Sequence, residues 1–394
     1  MGSDRTILID ALAAAATRFR AQNPLPTLLS GPNASVLAPL ADEIARCASY
    51  QEVAGHALFN GGSGVVLHTE VLAERLFAKG VWPTQNIEGS VDWLLQILNM
   101  REAVMLLKVA LWGIKIEEPV QINANAKLTP FAAIDDSFLK GRLVERSRTL
   151  YDQTIWRSPT YHDVPETAYV ETVPHFPCIG SKSFESMRNL YEKTGNLVSL
   201  LQASTGTEIV GACWLEYRNP DLEFSSVNSS FFWLLPEVHP RVRQTVVADP
   251  QLILTNIAHF GDLPGKRKDN VLRSMHRFRL SQSREQTADQ ILDLTLAFEI
   301  AVSGGGEKTT PSFKVSVRTA QAIGGALSER KSTRERIAEL YTLRNTAAHG
   351  GRLRNANALV LIKDACHLYV RLMTKLLTLK SEPCWGDIEL EPLP

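Results

Sequence analysis

The sequence predicts an α+β N-terminal region followed by an all-α helical bundle. Three observations carry that reading. Apolar residues recur every three or four positions through most of the first 113 residues; alternating and short apolar runs replace that period between Ile114 and Tyr217; and beyond residue 264 every remaining signal is helical.

In order along the chain, "ILIDALAAAATRF", "ASVLAPLADEIARCA", "LHTEVLAERLFAKG" and "VDWLLQILNMREAVMLLKVALWG" each space their apolar residues for a helix. Ile114, Ile116, Val120 and Ile122 then lead through a polar "NANA" turn into "KLTPF", which predicts a strand pair, and residues 137–151 return to a helical period. Pro159, Pro165, Pro174 and Pro177 surround the short run "ETAYVETV" and mark an irregular crossing. Residues 183–202 predict a helix. In "EIVGACWLEY", Ile209, Gly211, Cys213, Leu215 and Tyr217 fall on one side of a strand, and "FSSVNSSFFWLL" offers another. After "GDLPGKRKDN", helices are predicted over 271–280, 284–302, 312–327, 333–348 and 357–379, the pattern of a four-to-five-helix bundle. The predicted regions are therefore 1–155, 156–264, a bundle over 265–380 and an acidic tail over 381–394.

The chain of 394 residues is neutral overall, with 42 Lys+Arg against 42 Asp+Glu, but the charges are divided. Residues 266–380 hold 21 Lys+Arg against 10 Asp+Glu, a balance of +11, which leaves −11 for the rest. Such asymmetry points to a module that binds a polyanion joined to one that does not. The five cysteines stand far apart without a CxxC pair, which favours a reducing, cytoplasmic setting over a metal site or a disulfide framework. Asp4 and Asp10 interrupt the first apolar stretch, so it reads as an amphipathic helix and not as a signal peptide. Arg101, Glu102 and Lys108 break the most apolar run, and no membrane role is expected.

Glycine-rich stretches offer little chemistry. In "SGGGEKTT", Glu307 separates Gly306 from Lys308, against the phosphate-loop pattern; "NGGSGVV" fits neither a dinucleotide loop nor a nucleophile elbow and is explained by a turn leading into a helix. No HExxH or metal-spaced His/Cys cluster is present, so neither metal nor cofactor is expected.

Two segments carry Arg-x4-His. In "RSPTYH", Pro159 forbids a regular helix between Arg157 and His162. In "YTLRNTAAHGG", Ile337, Leu340, Tyr341 and Ala348 anchor a helix that Gly350 and Gly351 should cap, so the helix should end beside His349. Five residues of unbroken helix would leave Arg344 and His349 about 140° apart, and unwinding near the glycines would bring them together. A histidine can take a proton from a ribose 2′-hydroxyl or give one to a leaving 5′-oxygen, an arginine can grip phosphate oxygens, and Asn345 can add a neutral hydrogen bond. The competing reading is a helix C-terminus at which cations satisfy carbonyls.

The segment "YTLRNTAAHGG", preceded by "ADQILDLTLAFEIAV" and followed by "ALVLIKDACHLYVRLMTKLL", resembles the HEPN superfamily, and within it the Apea-like HEPN domains, over roughly residues 265–380. That resemblance implies a helical bundle acting as a metal-independent endoribonuclease of a bacterial anti-phage defence or toxin system. It implies RNA as substrate, with tRNA one candidate, a homodimer with the motif at its interface, and a regulatory or antitoxin partner. Arg344 and His349 take the catalytic positions, Asn345 the polar position after the arginine, and either Glu299 or Asp293 an acidic position on an earlier helix. A tyrosine modified in some members is replaced here by Gly351. Lys266, Arg267, Lys268, Arg273, Arg277 and Arg334 are the expected phosphate-backbone contacts. The alternative is a non-catalytic HEPN module that binds RNA or protein as a scaffold.

Overall fold

A computed structural model describes residues 2–22, 34–60, 63–81, 86–153, 164–219, 222, 233–234, 245–303, 312–349, 356–379 and 381–391. The fold is mixed α+β. The elements are α1 (Gly2–Gln22), α2 (Ala34–Arg46), α3 (Ala48–Gln51), β1 (Ala57–Asn60), β2 (Ser63–Val66), α4 (Thr69–Val81), α5 (Ile87–Asn99), β3 (Glu102–Trp112), β4 (Ile114–Lys115), β5 (Val120–Asn123), β6 (Ala126–Pro130), α6 (Phe138–Gln153), β7 (Thr167–Pro177), α7 (Ser181–Thr205), β8 (Val210–Tyr217), β9 (Trp233–Leu234) and β10 (Val246–Val247). They are followed by α8 (Pro250–Gly261), α9 (Gly265–Ser283), α10 (Thr287–Val302), α11 (Ser312–Ile323), α12 (Leu327–Ala348), α13 (Ala356–Thr378) and α14 (Trp385–Ile388). One sheet has the order β5-β6-β7-β3-β8-β9, and β1-β2 and β10-β4 form two small pairs.

The chain folds as two compact units that do not follow the predicted linear boundaries. The first comprises residues 1–108, 171–190 and 214–233, and the second residues 109–170, 191–213 and 234–394. Strands β3, β7 and β8 each pass from one unit into the other.

Several local expectations change: the stretch read as an irregular crossing around "ETAYVETV" is the long strand β7, paired between β6 and β3. The stretch read as one long helix over 91–113 divides at Met100 into α5 and β3, and β3 is buried along most of its length. A strand covered on both faces is continuously apolar, so its sequence has no alternation to separate it from a buried helix. Of "NGGSGVV", Asn60 ends β1 and Ser63–Val66 form β2, with Asn60 opposite Ser63 in antiparallel register, so its described residues belong to strands and not to a turn leading into a helix. Helices α1 and α4 meet through Phe19 and Phe77, whose ring centres lie 5.3 Å apart edge to face. Arg5 on α1 bonds Asp92 on α5 at 2.6 Å. Lys108 is buried and paired with Glu216, which also accepts from the Trp214 indole at 2.6 Å. The strand expected in "EIVGACWLEY" is β8, which is buried on both sides.

In the second unit, the predicted strand pair is β5 and β6, antiparallel with Val120 opposite Leu128. From residue 250 onward all regular elements among the described residues are helices. The core there is centred on Tyr369 of α13, stacked on Phe278 of α9 at 4.2 Å and set edge-on to Phe298 of α10 at 5.5 Å. Its hydroxyl shares a 2.7 Å hydrogen bond with Ser274, which lets a buried polar group reside among apolar neighbours. Helix α8 was absent from the sequence reading, although Asp249 caps it by accepting from the Gln251 amide at 2.9 Å and Pro250 fills its first turn.

The segment expected to be an acidic tail is anchored over its described part. Trp385 and Ile388 are buried in the bundle core. Beside them, Arg318 of α11 bonds Glu389 at 2.8 Å through Nε, and its guanidinium stands 5.7 Å from the Trp385 ring centre. Among the described residues, no helix is long and apolar enough to cross a membrane.

Candidate active site at the end of helix α12

Helix α12 follows Gly324 and Gly325, whose φ angles of 74° and 94° turn the chain sharply away from α11. Glu329 closes its first turn by accepting from the Ala326 amide at 3.1 Å. Ile337, Leu340 and Tyr341 bury one face and fix the helix against the bundle. The helix ends at His349, as the sequence predicts: His349 is the C-terminal cap residue, and its amide donates to the Asn345 carbonyl at 3.2 Å.

The last turn therefore displays Arg344 half-buried and Asn345 and His349 exposed. Among the described residues, none of these three side chains has a hydrogen-bond or ion-pair partner, so they do not serve as side-chain caps for the terminal carbonyls. The expected unwinding does not occur up to Ala348. With the helix wound to that point, Arg344 and His349 project about 140° apart around its axis. Gly350 and Gly351 lie outside the described residues, as do Arg157 and His162.

The two candidate carboxylates occupy different environments. Asp293 is buried in α10 and bridges two arginines, accepting from Arg277 Nη1 at 2.9 Å and from Arg284 Nε at 2.6 Å. Both of its oxygens are engaged away from the motif. Glu299, six residues along α10, is half-buried and accepts at Oε1 from the Tyr341 hydroxyl at 3.0 Å. Tyr341 stands three residues before Arg344, so the hydroxyl ties Glu299 to the helix that bears the motif. Burial, and then the Glu299 charge, push the phenol's pKa far above its ordinary value, while Arg344 acts in the opposite direction. That phenol remains a donor at every physiological pH.

The six candidate phosphate contacts also separate. Lys266, Arg273 and Arg334 are exposed, with Arg273 bonded to the Asn270 side chain. Lys268 is half-buried and holds its ammonium 4.9 Å from the Phe260 ring centre. Arg277 is committed to Asp293. Arg267 is buried, donates through Nη2 to the Leu376 carbonyl, and leaves Nε and Nη1 without hydrogen-bond partners. Burial pushes its pKa down while the Glu382 charge opposes that shift. It is thus a structural tie between α9 and α13.

An open groove of about 490 Å³ runs between α12 and α13, lined by Thr342, Leu343, Asn357, Val360 and Leu361. Leu359 and Val360 are exposed at its border, 57% and 60% accessible. In the first unit, Asn99, Glu102, Val104, Arg218 and Asn219 line a wider cleft of about 780 Å³. Glu102 stands 3.5 Å from the exposed His175 there. No group of three or more His, Cys, Asp or Glu side chains suited to a metal ion occurs among the described residues. The sequence reading missed Tyr341 as part of the α12 site; its bond to Glu299 joins residues 42 positions apart. No protein-family model matches the chain, and neither does any curated protein or solved structure.

Proposed function

We propose that the chain is a metal-independent endoribonuclease with a HEPN-type bundle over residues 265–380, acting in a cytoplasmic bacterial anti-phage defence or toxin system. The observation that carries this reading is the unengaged Arg344 and His349 at the end of α12, with Glu299 of α10 bonded to Tyr341, one turn before Arg344. His349 removes the proton of a ribose 2′-hydroxyl, whose oxygen attacks the adjacent phosphorus; the bond to the 5′-oxygen breaks, and that oxygen leaves with a proton from a second imidazole. Arg344 grips the phosphate oxygens as their charge grows. The products are a 2′,3′-cyclic phosphate and a free 5′-hydroxyl.

One chain brings a single histidine of this motif, and its wound helix points that histidine away from Arg344. A homodimer would supply the missing acid and a closer arginine, because an isologous interface places each residue near its own copy. The α12–α13 groove with exposed Leu359 and Val360 suits such a face. The exposed Lys266, Arg273 and Arg334 contact the RNA backbone. The substrate class is RNA, with tRNA one candidate, and a regulatory or antitoxin protein is a further partner.

The test is incubation of purified protein with total RNA in EDTA. His349→Ala and Arg344→Ala should each lower cleavage by about 10²- to 10⁴-fold while the proteins stay folded. Wild-type cleavage by folded His349→Ala, or 5′-phosphate products that require magnesium, would remove this function. RNA binding without cleavage would support the scaffold reading instead.

A further inference from the structure

Tyr341 takes no part in the chemistry above, yet it touches its parts. Its ring is buried, 5% accessible, in the core of the bundle. Its hydroxyl reaches across to α10 and donates to Glu299 Oε1 at 3.0 Å. The backbone of Glu299 is tied as well, since Ser303 Oγ donates to its carbonyl and secures the end of α10. Along α12, Arg344 lies three residues further on, the spacing at which helical side chains are neighbours. Glu299 Oε2 makes no hydrogen bond among the described residues, so the bond to Tyr341 is what fixes this carboxylate.

We infer that Tyr341 is a positioning residue for the site: its hydroxyl holds one oxygen of Glu299 and thereby fixes the carboxylate's charge against α12, at the residue one turn before Arg344. A guanidinium that meets a phosphate within the field of an immobile carboxylate has one preferred orientation. With a mobile carboxylate it has several, and only some match the growing charge of the transition state. The inference rests on the ribonuclease reading. It goes beyond it by selecting Glu299 and by naming the residue that makes Glu299 effective.

The experiment compares wild type, Tyr341→Phe, Glu299→Ala, the Tyr341→Phe/Glu299→Ala double variant and Glu299→Gln, with His349→Ala as reference. The probe is an end-labelled, mixed-sequence single-stranded RNA in EDTA. Tyr341→Phe keeps the buried ring, and its kcat should fall about tenfold with KM changed by less than about twofold. The double variant should cut no more slowly than Glu299→Ala alone, because the hydroxyl acts only through the carboxylate. Glu299→Gln can still accept the hydrogen bond but lacks the charge, so it too should be slow; a purely structural tie would leave it at the wild-type rate. Tyr341→Phe cutting at full speed, or a double variant whose loss is the product of the two single losses, would overturn the positioning role. If Tyr341→Phe does not fold, Glu299→Asp decides instead, since it keeps the charge but draws it back from the hydroxyl: wild-type cutting by that variant would overturn the positioning role. If wild type cuts no RNA, or His349→Ala cuts as well as wild type, the ribonuclease reading fails first and takes this role with it.

Discussion

Replacing Asp293 with asparagine tests whether this carboxylate serves stability or the proposed chemistry. The carboxylate is 6% accessible and is bonded by Arg277 at 2.9 Å and Arg284 at 2.6 Å. Asparagine has the same shape but only one acceptor oxygen. Whichever way its amide lies, one guanidinium then meets an NH2 group, donor against donor. A hydrogen bond to a charged group is worth about 1.5–3 kcal/mol, so losing one and weakening the other has an upper limit of about 4 kcal/mol. The arginines are 42% and 31% accessible and can return partly to water, which reduces the cost to about 2–3 kcal/mol. For a unit of this size that is a fall in Tm of roughly 5–10 °C. Thermal melting by circular dichroism reads the loss, and RNA cleavage at room temperature should stay within about twofold of wild type. A Tm unchanged within about 1 °C would show that the paired arginines add nothing. Cleavage reduced about a hundredfold at unchanged Tm would make Asp293, and not Glu299, the acid of the site.

Two further outcomes follow from burial. Burial pushes the Cys178 thiol up to about 11 and those of Cys213 and Cys366 up to about 12, and raises Cys47 as well, so at pH 8 all four stay protonated and unreactive; a thiol reagent should label only exposed Cys384 quickly and all five cysteines after denaturation, and a second fast thiol in the folded chain would contradict this. Lys266→Ala and Arg273→Ala should each lower the log–log salt slope of RNA binding by about 1 with little effect on stability, whereas Arg267→Ala should lower the Tm and leave the slope unchanged; a changed slope for a folded Arg267→Ala protein would return that residue to the binding face.

The helices beyond residue 264 were legible because a period of three to four survives wherever one face is buried and the opposite face is polar. The first unit was harder, since β3 and β8 are covered on both faces and lose the alternation that marks a strand. Arg267 shows a signal that was present but unused. It precedes Val271, Met275 and Phe278 at helical spacing, in phase with the buried stripe of α9, so its helix position argued for burial even though its neighbours Lys266 and Lys268 argued for a charged surface. The end of α12 was readable because Arg344, Asn345 and His349 are local to one turn. The different surroundings of Glu299 and Asp293 were not, because they depend on Tyr341 and Arg284 meeting α10 residues through the fold, and no spacing within one helix records that.

The anchored segment around α14 also bears on how the protein comes into being. Trp385 and Ile388 complete a core whose other members begin near Leu200. Synthesis runs from the N-terminus at about 5–20 residues per second, so helices α9 to α13 are made before these side chains exist. During that interval, the apolar surface that Trp385 will cover and the Arg318 guanidinium that Glu389 will neutralise are still without their native partners. Final packing of the bundle, and whatever chemistry depends on it, is thereby deferred until translation has passed Glu389.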